Sequence, residues 1–424
     1  MATKVQPQKL TRFRNALQSV YGPFDALSHA QVAAWTPPPM AEGHRGRYLW
    51  TDAFGVLNLL TLGALTSEPR YTTLAARLID TVHDTLGRTR DGTRRLPGAT
   101  DEHPLMGGLR IGKEEEEEDP GGDGDGQYHH YLTVWMFALN RMARVSGERQ
   151  YNDLAIELAK AIHRRFVRER DSPRPRMYWK MSIDLSRPMV RSEGNLDPID
   201  GYVVYNLLQK DREDDKTILK QEIEDYERIL ETKWRGYVSD DPLDLGMTTW
   251  TAHWFGEKEG WATELSRRAA VCLRPLVEEE KYFDAPARFR LAFREFGTCL
   301  GVQCLRNAVA DDFTGVNEKA YWDQLVEKIM TTRTPSLEKD PPAIKLELQP
   351  ITMVMYATAL IPGSKRRPRR LCTHLATKAE SHLDRFRARL VWRRVVVDGH
   401  SVLDWFRLPG GIRTVRHNQV TSTS

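Results

Sequence analysis

Acidic side chains, two adjacent histidines and several tryptophans gather in four short stretches of this chain, and their spacing suits proton transfer on a polar substrate. The first stretch is Arg47-Tyr48-Leu49-Trp50-Thr51-Asp52. Tyr48 and Asp52 are four apart and share a face once a helix has begun. A carboxylate in so apolar a segment needs hydrogen bonds or a cation. Asp52 is therefore a candidate acid, base or anchor at the floor of a cavity, with Tyr48 and Trp50 as substrate contacts. The plain alternative is a helix cap, or an internal partner for Arg47. The second stretch is Gly124-Asp125-Gly126-Gln127-Tyr128-His129-His130. Imidazoles titrate near neutrality, which makes His129 a candidate catalytic group and Gln127 and His130 candidate contacts. Adjacent helical residues diverge by roughly 100°, so only one histidine of the pair is expected to point squarely into a cavity. The aspartates and glycines from Asp119 onward look like a calcium loop but lack its closing glutamate.

The third stretch, Ser192-Glu193-Gly194-Asn195-Leu196-Asp197-Pro198-Ile199-Asp200-Gly201-Tyr202, carries the strongest signal. Asp197 and Asp200 are three apart at a helix start, so both can face inward. Neighbouring carboxylates push each other's pKa values apart, which makes one acid and one base from the same chemistry. Glu193 and Tyr202 are candidate contacts beside them. Proline suits the first helical turn, and the helix dipole alone also favours acids there. The fourth stretch repeats the pattern as Asp241-Pro242-Leu243-Asp244, followed by Trp250, His253 and Trp254 on one face. Asp244 joins the catalytic candidates, and Trp250 and His253 the contacts. An aromatic stripe suits the apolar face of a sugar ring and is equally ordinary as core. Arg294-Glu295 lies inside another apolar segment, either as a buried ion pair or with Arg294 holding an anionic substrate group.

These stretches open helices of one kind. Residues 47–65, 127–145, 195–209, 244–255, 290–307 and 347–360 are apolar nearly all round. Residues 71–86, 150–168, 212–234, 260–275, 318–331 and 370–389 are amphipathic, and the two kinds alternate strictly. A helix apolar on every side must be enclosed, and an amphipathic one covers it with its polar face outward. Six such pairs close into a double-layered ring, an all-α (α/α)6 toroid. Starts of the enclosed helices are 80, 68, 49, 46 and 57 residues apart, which argues against a solenoid of fixed period. Strand character is confined to 391–397 and the neighbourhood of 178–183. The expected division is a helical extension over 1–46, the toroid over 47–390 and a basic tail over 391–424. Loops are expected at the acidic, glycine-rich run from Glu114 to Gly126 and at 336–342, beside Pro335.

Composition is ordinary for a globular chain, with 40% hydrophobic and 28% charged residues, which excludes disorder, collagen and coiled coil for the whole. No run approaches the roughly 20 apolar residues of a membrane span, and residues 1–14 read as no secretory signal. No membrane association is therefore expected. Four cysteines, from Cys272 to Cys372, are too few for a disulfide framework and point to a reducing, cytoplasmic setting. From residue 361 onward 14 basic residues face 4 acidic ones, a net of +10 that leaves −6 for the first 360 residues. No nucleic-acid-binding signature accompanies that tail, which includes Lys365, Arg370 and Arg394, so nucleic acid is not expected as a partner. There is no Walker loop, GxGxxG, HExxH, GxSxG or CxxC pair; neither cofactor nor metal ion is expected.

The alternating helices, with Tyr48-Leu49-Trp50-Thr51-Asp52, Asp197-Pro198-Ile199-Asp200-Gly201-Tyr202 and Asp241-Pro242-Leu243-Asp244 opening the enclosed ones, resemble the six-hairpin glycosidase superfamily over about 47–390. The resemblance implies a carbohydrate-active enzyme with a small-molecule or oligosaccharide substrate. Hydrolysis of a glycosidic bond would then use a pair from Asp52, Asp197, Asp200 and Asp244. A sugar isomerase or epimerase working through the histidines is the second expectation, and a toroid recruited to other metabolism or to binding the third.

Overall fold

The computed structural model describes residues 5–39, 47–118, 124–256, 259–308, 316–339, 344–363, 393–397 and 400–404. It divides into two units, residues 1–367 and 368–424. In the first, six helices form an inner ring: α3 (Leu49–Thr66), α5 (His129–Ser146), α7 (Asp197–Lys210), α9 (Pro242–Ala252), α11 (Ala292–Ala308) and α13 (Gln349–Leu360). Each packs on the next, and α13 packs back on α3, so the ring is closed. Around it lie α1 (Pro7–Tyr21), α4 (Arg70–Leu86), α6 (Gln150–Phe166), α8 (Lys220–Lys233), α10 (Gly260–Glu278) and α12 (Val316–Leu337), each on an inner helix. A short α2 (His29–Ala33) leans on α4. The fold is an (α/α)6 toroid, as the alternation predicts.

The enclosed helices owe their place to their all-round apolarity. In α3 every residue from Leu49 to Leu62 is buried. That helix is long and apolar enough to cross a membrane by length and composition, but 78% of the stretch is covered by its neighbours. The covering helices bury one stripe each. In α1 it comprises Phe13, Ala16, Leu17, Val20 and Tyr21, at the three- and four-residue spacing of one helical face.

The sixth covering position differs from the sequence expectation. It is filled by α1, which packs on α13 and α3; residues 370–389, expected to supply it, lie outside the described residues. Asn58 seals the same seam from within the core: its Nδ2 donates to the Val354 carbonyl (3.0 Å), and Thr358 Oγ1 donates to its Oδ1 (3.3 Å). Opposite, α9 and α11 meet backbone to backbone. A Cβ built on Gly301 would lie 2.1 Å from the Gly246 carbonyl oxygen, and one on Gly246 2.3 Å from that of Gly297. Only glycines allow that approach. Helix α12 also runs past its expected end, through Pro335 to Leu337. Its last turns are pinned by Arg333, which is ion-paired to the buried Glu295 (2.8 Å).

Two short ribbons dress the ring near α5. Strand β1 (Gln127–Tyr128) pairs antiparallel with β4 (Lys180–Met181), and β2 (Val167–Arg168) with β3 (Arg176–Met177). The strand expected at 178–183 is thus β4 with the residues beside it. In the second unit, β5 (Arg393–Val397) and β6 (His400–Asp404) form an antiparallel hairpin, where a strand is expected at 391–397. Most of the basic tail lies outside the described residues.

Candidate active site

Helix α7 opens with Asp197-Pro198, and both Asp197 and Asp200 lie in its first turn. Asp197 is buried and faces the start of α5. His130 Nδ1 is 3.2 Å from Asp197 Oδ1, and His129 Nδ1 is 3.5 Å from the same oxygen. Both histidines therefore converge on one carboxylate, where the helical divergence predicts that one would turn away. The reason is position: the pair begins α5, and Asp197 lies beside both of them rather than on one face. Behind them His129 Nε2 meets the Tyr226 hydroxyl of α8 at 2.6 Å. Gly201 makes room for that tyrosine, since a Cβ there would lie 2.4 Å from its ring.

The two carboxyls of this turn are driven in opposite directions. Burial alone would raise Asp197, but His130 and then His129 oppose it and hold the carboxyl well below the ordinary range. Asp200 is pushed well up, chiefly by burial; the Thr251 hydroxyl, donating at 2.6 Å, opposes this, and the charges of Asp197 and Asp244 reinforce it. The surroundings thus favour the charged form of Asp197 and the neutral form of Asp200. Asp244 stands nearby as a half-buried acceptor for Asn195 Nδ2 (2.8 Å) and the Tyr237 hydroxyl (2.9 Å).

Aromatic rings surround this turn. Trp50, Tyr128, Tyr131 and Trp179 all lie with ring centroids 5.0–6.1 Å from His130. The Trp50 indole N–H is buried and meets no acceptor among the described residues. Gly194, at φ +71°, brings bare backbone against the pair: a Cβ there would fall 2.1 Å from Asp197 Oδ2. Of the sequence candidates, Trp50, His129, His130, Asp197, Asp200 and Asp244 thus come together. Glu193 lies on the adjoining groove, 3.6 Å from Lys233.

Other candidates are engaged elsewhere. Asp52 is fully buried and held by Arg47 at both oxygens (3.0 and 3.1 Å), with the Tyr21 hydroxyl donating at 3.0 Å. It is the internal partner of Arg47, and Tyr48 is the extended residue just before its helix begins. Gln127 spends its amide on backbone groups of Leu109, Gly107 and Ile183. Tyr202 turns outward onto Phe255 and Trp261. Trp250 packs against Phe54 and Phe137 as core, and His253 Nδ1 contacts the Trp250 carbonyl. Arg294 and Glu295 do not pair with each other: Arg294 pairs with Asp241, and Glu295 with Arg290 and Arg333. Asp125, in the calcium-like run, is buried against Arg110. No group of three or more potential metal ligands occurs among the described residues. Thr251, Tyr226, Trp179 and Asn195 went unseen in the sequence. Thr251 stands between the candidates Trp250 and His253 but off their face, and Tyr226 lies in a covering helix with nothing local to mark it.

No family model matches the chain, and no curated protein sequence matches it. Solved structures do. The GH76A alpha-1,6-mannanase from Salegentibacter sp. HEL1_6 is similar over 83% of this chain and 98% of its own, with a TM-score of 0.50 at 12% identity. An inactive variant of that mannanase, with two adjacent aspartates changed to asparagine and alpha-1,6-mannotriose bound, covers the same shares with a TM-score of 0.50 at 11% identity. The likeness is one of fold. It spans the six-hairpin ring and extends to nearly the whole of the mannanase chain.

Proposed function

We propose that this chain hydrolyses a glycosidic bond, with Asp200 as general acid and Asp197 as nucleophile. The observation that carries the reading is the placing of two buried carboxyls on one turn of α7, one against two imidazoles and the other away from any cation among the described residues, which shifts them in opposite directions. Asp200 protonates the departing oxygen as Asp197 attacks the anomeric carbon. Asp200, now ionised, then takes a proton from the water that releases the sugar from Asp197, and both groups return to their starting states. In a glycosidase, carboxyl groups about 5–5.5 Å apart go with a nucleophile, and those about 6.5–9.5 Å apart with an intervening water. With Asp197 as nucleophile, the product is expected to retain its anomeric configuration. The aromatic surround offers stacking surfaces for sugar rings, and the unpaired Trp50 N–H a donor for a hydroxyl. The glycosidase neighbours of the same fold support this reading.

The test is proton NMR in D2O with a panel of glycosides, uronides and amino sugars. New anomeric signals, reduced by about 10²–10⁴-fold in rate in Asp200→Asn, support hydrolysis. A second reading has one observation in its favour: His130 is partly open and oriented by Asp197, the arrangement of a proton-transfer base beside a carbonyl. Exchange of a carbon-bound proton without bond cleavage would replace hydrolysis with isomerase chemistry at His130.

A further inference from the structure

Beside the Asp197 turn lies an open groove of about 720 Å³, walled by the β3–β4 region, the loop from Arg191 to Asn195 and the last turn of α8. It adjoins the acid pair, because its wall includes Gly194, whose backbone lies against Asp197, and Asn195, which donates to Asp244. Three cations line it, Arg176, Arg191 and Lys233, against one carboxylate, Glu193. Lys233 lies 3.6 Å from Glu193, and Arg176 only within 3.9 Å of Glu169 outside the groove. Arg191 is exposed and has no ionic or hydrogen-bonding partner among the described residues. Tyr178 adds an aromatic face to the same wall.

A concave site whose lining is net positive, with Arg191 left without a partner among the described residues, suits an anion, and a guanidinium matches a carboxylate or sulfate through two parallel hydrogen bonds. It also offsets a specific difficulty. An acidic sugar approaching the turn would meet the ionised Asp197, and like charges at short range repel unless cations lie between or beside them. A neutral sugar needs no such provision.

We infer that the groove is a subsite for an anionic sugar, so that the substrate acted on at Asp197 and Asp200 is an acidic oligosaccharide bearing a carboxylate or sulfate that Arg191 and Arg176 bind. This rests on the proposed hydrolase reading for the location of the scissile bond, and on the groove alone for the charge. Full-length Asp200→Asn protein, in which turnover is suppressed, is titrated by calorimetry with trigalacturonate, with a sulfated galactose trisaccharide and with alpha-1,6-mannotriose. An anionic trisaccharide is expected to bind more tightly than mannotriose and to weaken as salt is raised. Adding Arg191→Ala, at an exposed position, is expected to weaken it at least tenfold, about 1.4 kcal/mol, while leaving mannotriose unaffected. The tighter of the two anions identifies the group. Equal affinity for mannotriose, indifference of both anions to Arg191→Ala, or no binding of either anion overturns the inference. Arginine-dependent binding of an acidic trisaccharide that wild-type protein never cleaves would remove the hydrolase reading and leave the groove. Cleavage of neutral sugars with no preference for charge would do the reverse.

Discussion

Asp197 and Asp200 differ by three positions and by everything around them. Two imidazoles lower the pKa of one; burial and the charges of its neighbours raise that of the other. That difference is measurable without a substrate. An acid whose folded pKa lies above its unfolded one keeps its proton in the folded chain and loses it in the unfolded chain, so it opposes folding increasingly as pH rises. For Asp200 the effect begins near the ordinary value of 3.8 and grows upward through its raised value. Asp200→Asn has nothing to ionise there, so its melting temperature relative to wild type is expected to improve as pH rises above about 4. A difference that stays constant with pH would mean that Asp200 is ionised in the folded protein. Asp197 runs the other way, giving stability that is present above 3.8 and lost as pH falls, but it is common to both proteins. Proximity of the two aspartates was legible from their spacing. Their divergence was expected from that proximity as well, but not which of them favours its charged form, because the deciding imidazoles of His129 and His130 come from α5.

Among the elements, the inner helices were legible because enclosure leaves a strong mark: a helix covered on all sides cannot carry a charged face. Pairing between helices leaves a weaker one. Gly297 and Gly301 are four apart on one face of α11, and they read in the sequence as interruptions of an apolar run. In the fold they are the surface on which α9 rests, with Gly246 opposite. Gly301→Ala would drive a methyl group against the Gly246 carbonyl, where neither backbone can yield without moving a whole helix. Such overpacking costs about 1–3 kcal/mol, and urea denaturation is expected to register a loss of that size. An unchanged midpoint would show that α9 and α11 can part freely. The partners of Glu295 were hidden for a related reason. Arg333 belongs to a helix that sequence reading ends two residues earlier, and its ion pair extends the helix.

For the molecule as a whole, the decisive contact is the one that makes a row of hairpins into a ring. Helix α1 belongs to the last hairpin in space although it comes first in the chain, so no local pattern could assign it to α13. Its terminal Tyr21 reaches Asp52 and the Thr51 carbonyl of α3, joining the covering layer to the Arg47–Asp52 pair. Tyr21→Phe removes a hydrogen bond to a buried charge and is expected to lower stability by about 1.5–3 kcal/mol. Deleting residues 1–21 uncovers the apolar faces of α13 and α3 together, and a cooperative thermal transition is expected to be lost; its survival at the wild-type temperature would make α1 an ornament. The same closure sets a timetable for the growing chain. Asn58 must wait for Val354, 296 residues downstream, which at about 5–20 residues per second is roughly 15–60 s of synthesis. Throughout that interval the apolar stripe of α1 is outside the ribosome without its permanent neighbour. A chaperone that shelters amphipathic helices would therefore meet the chain when α1 emerges and release it only once α13 has followed.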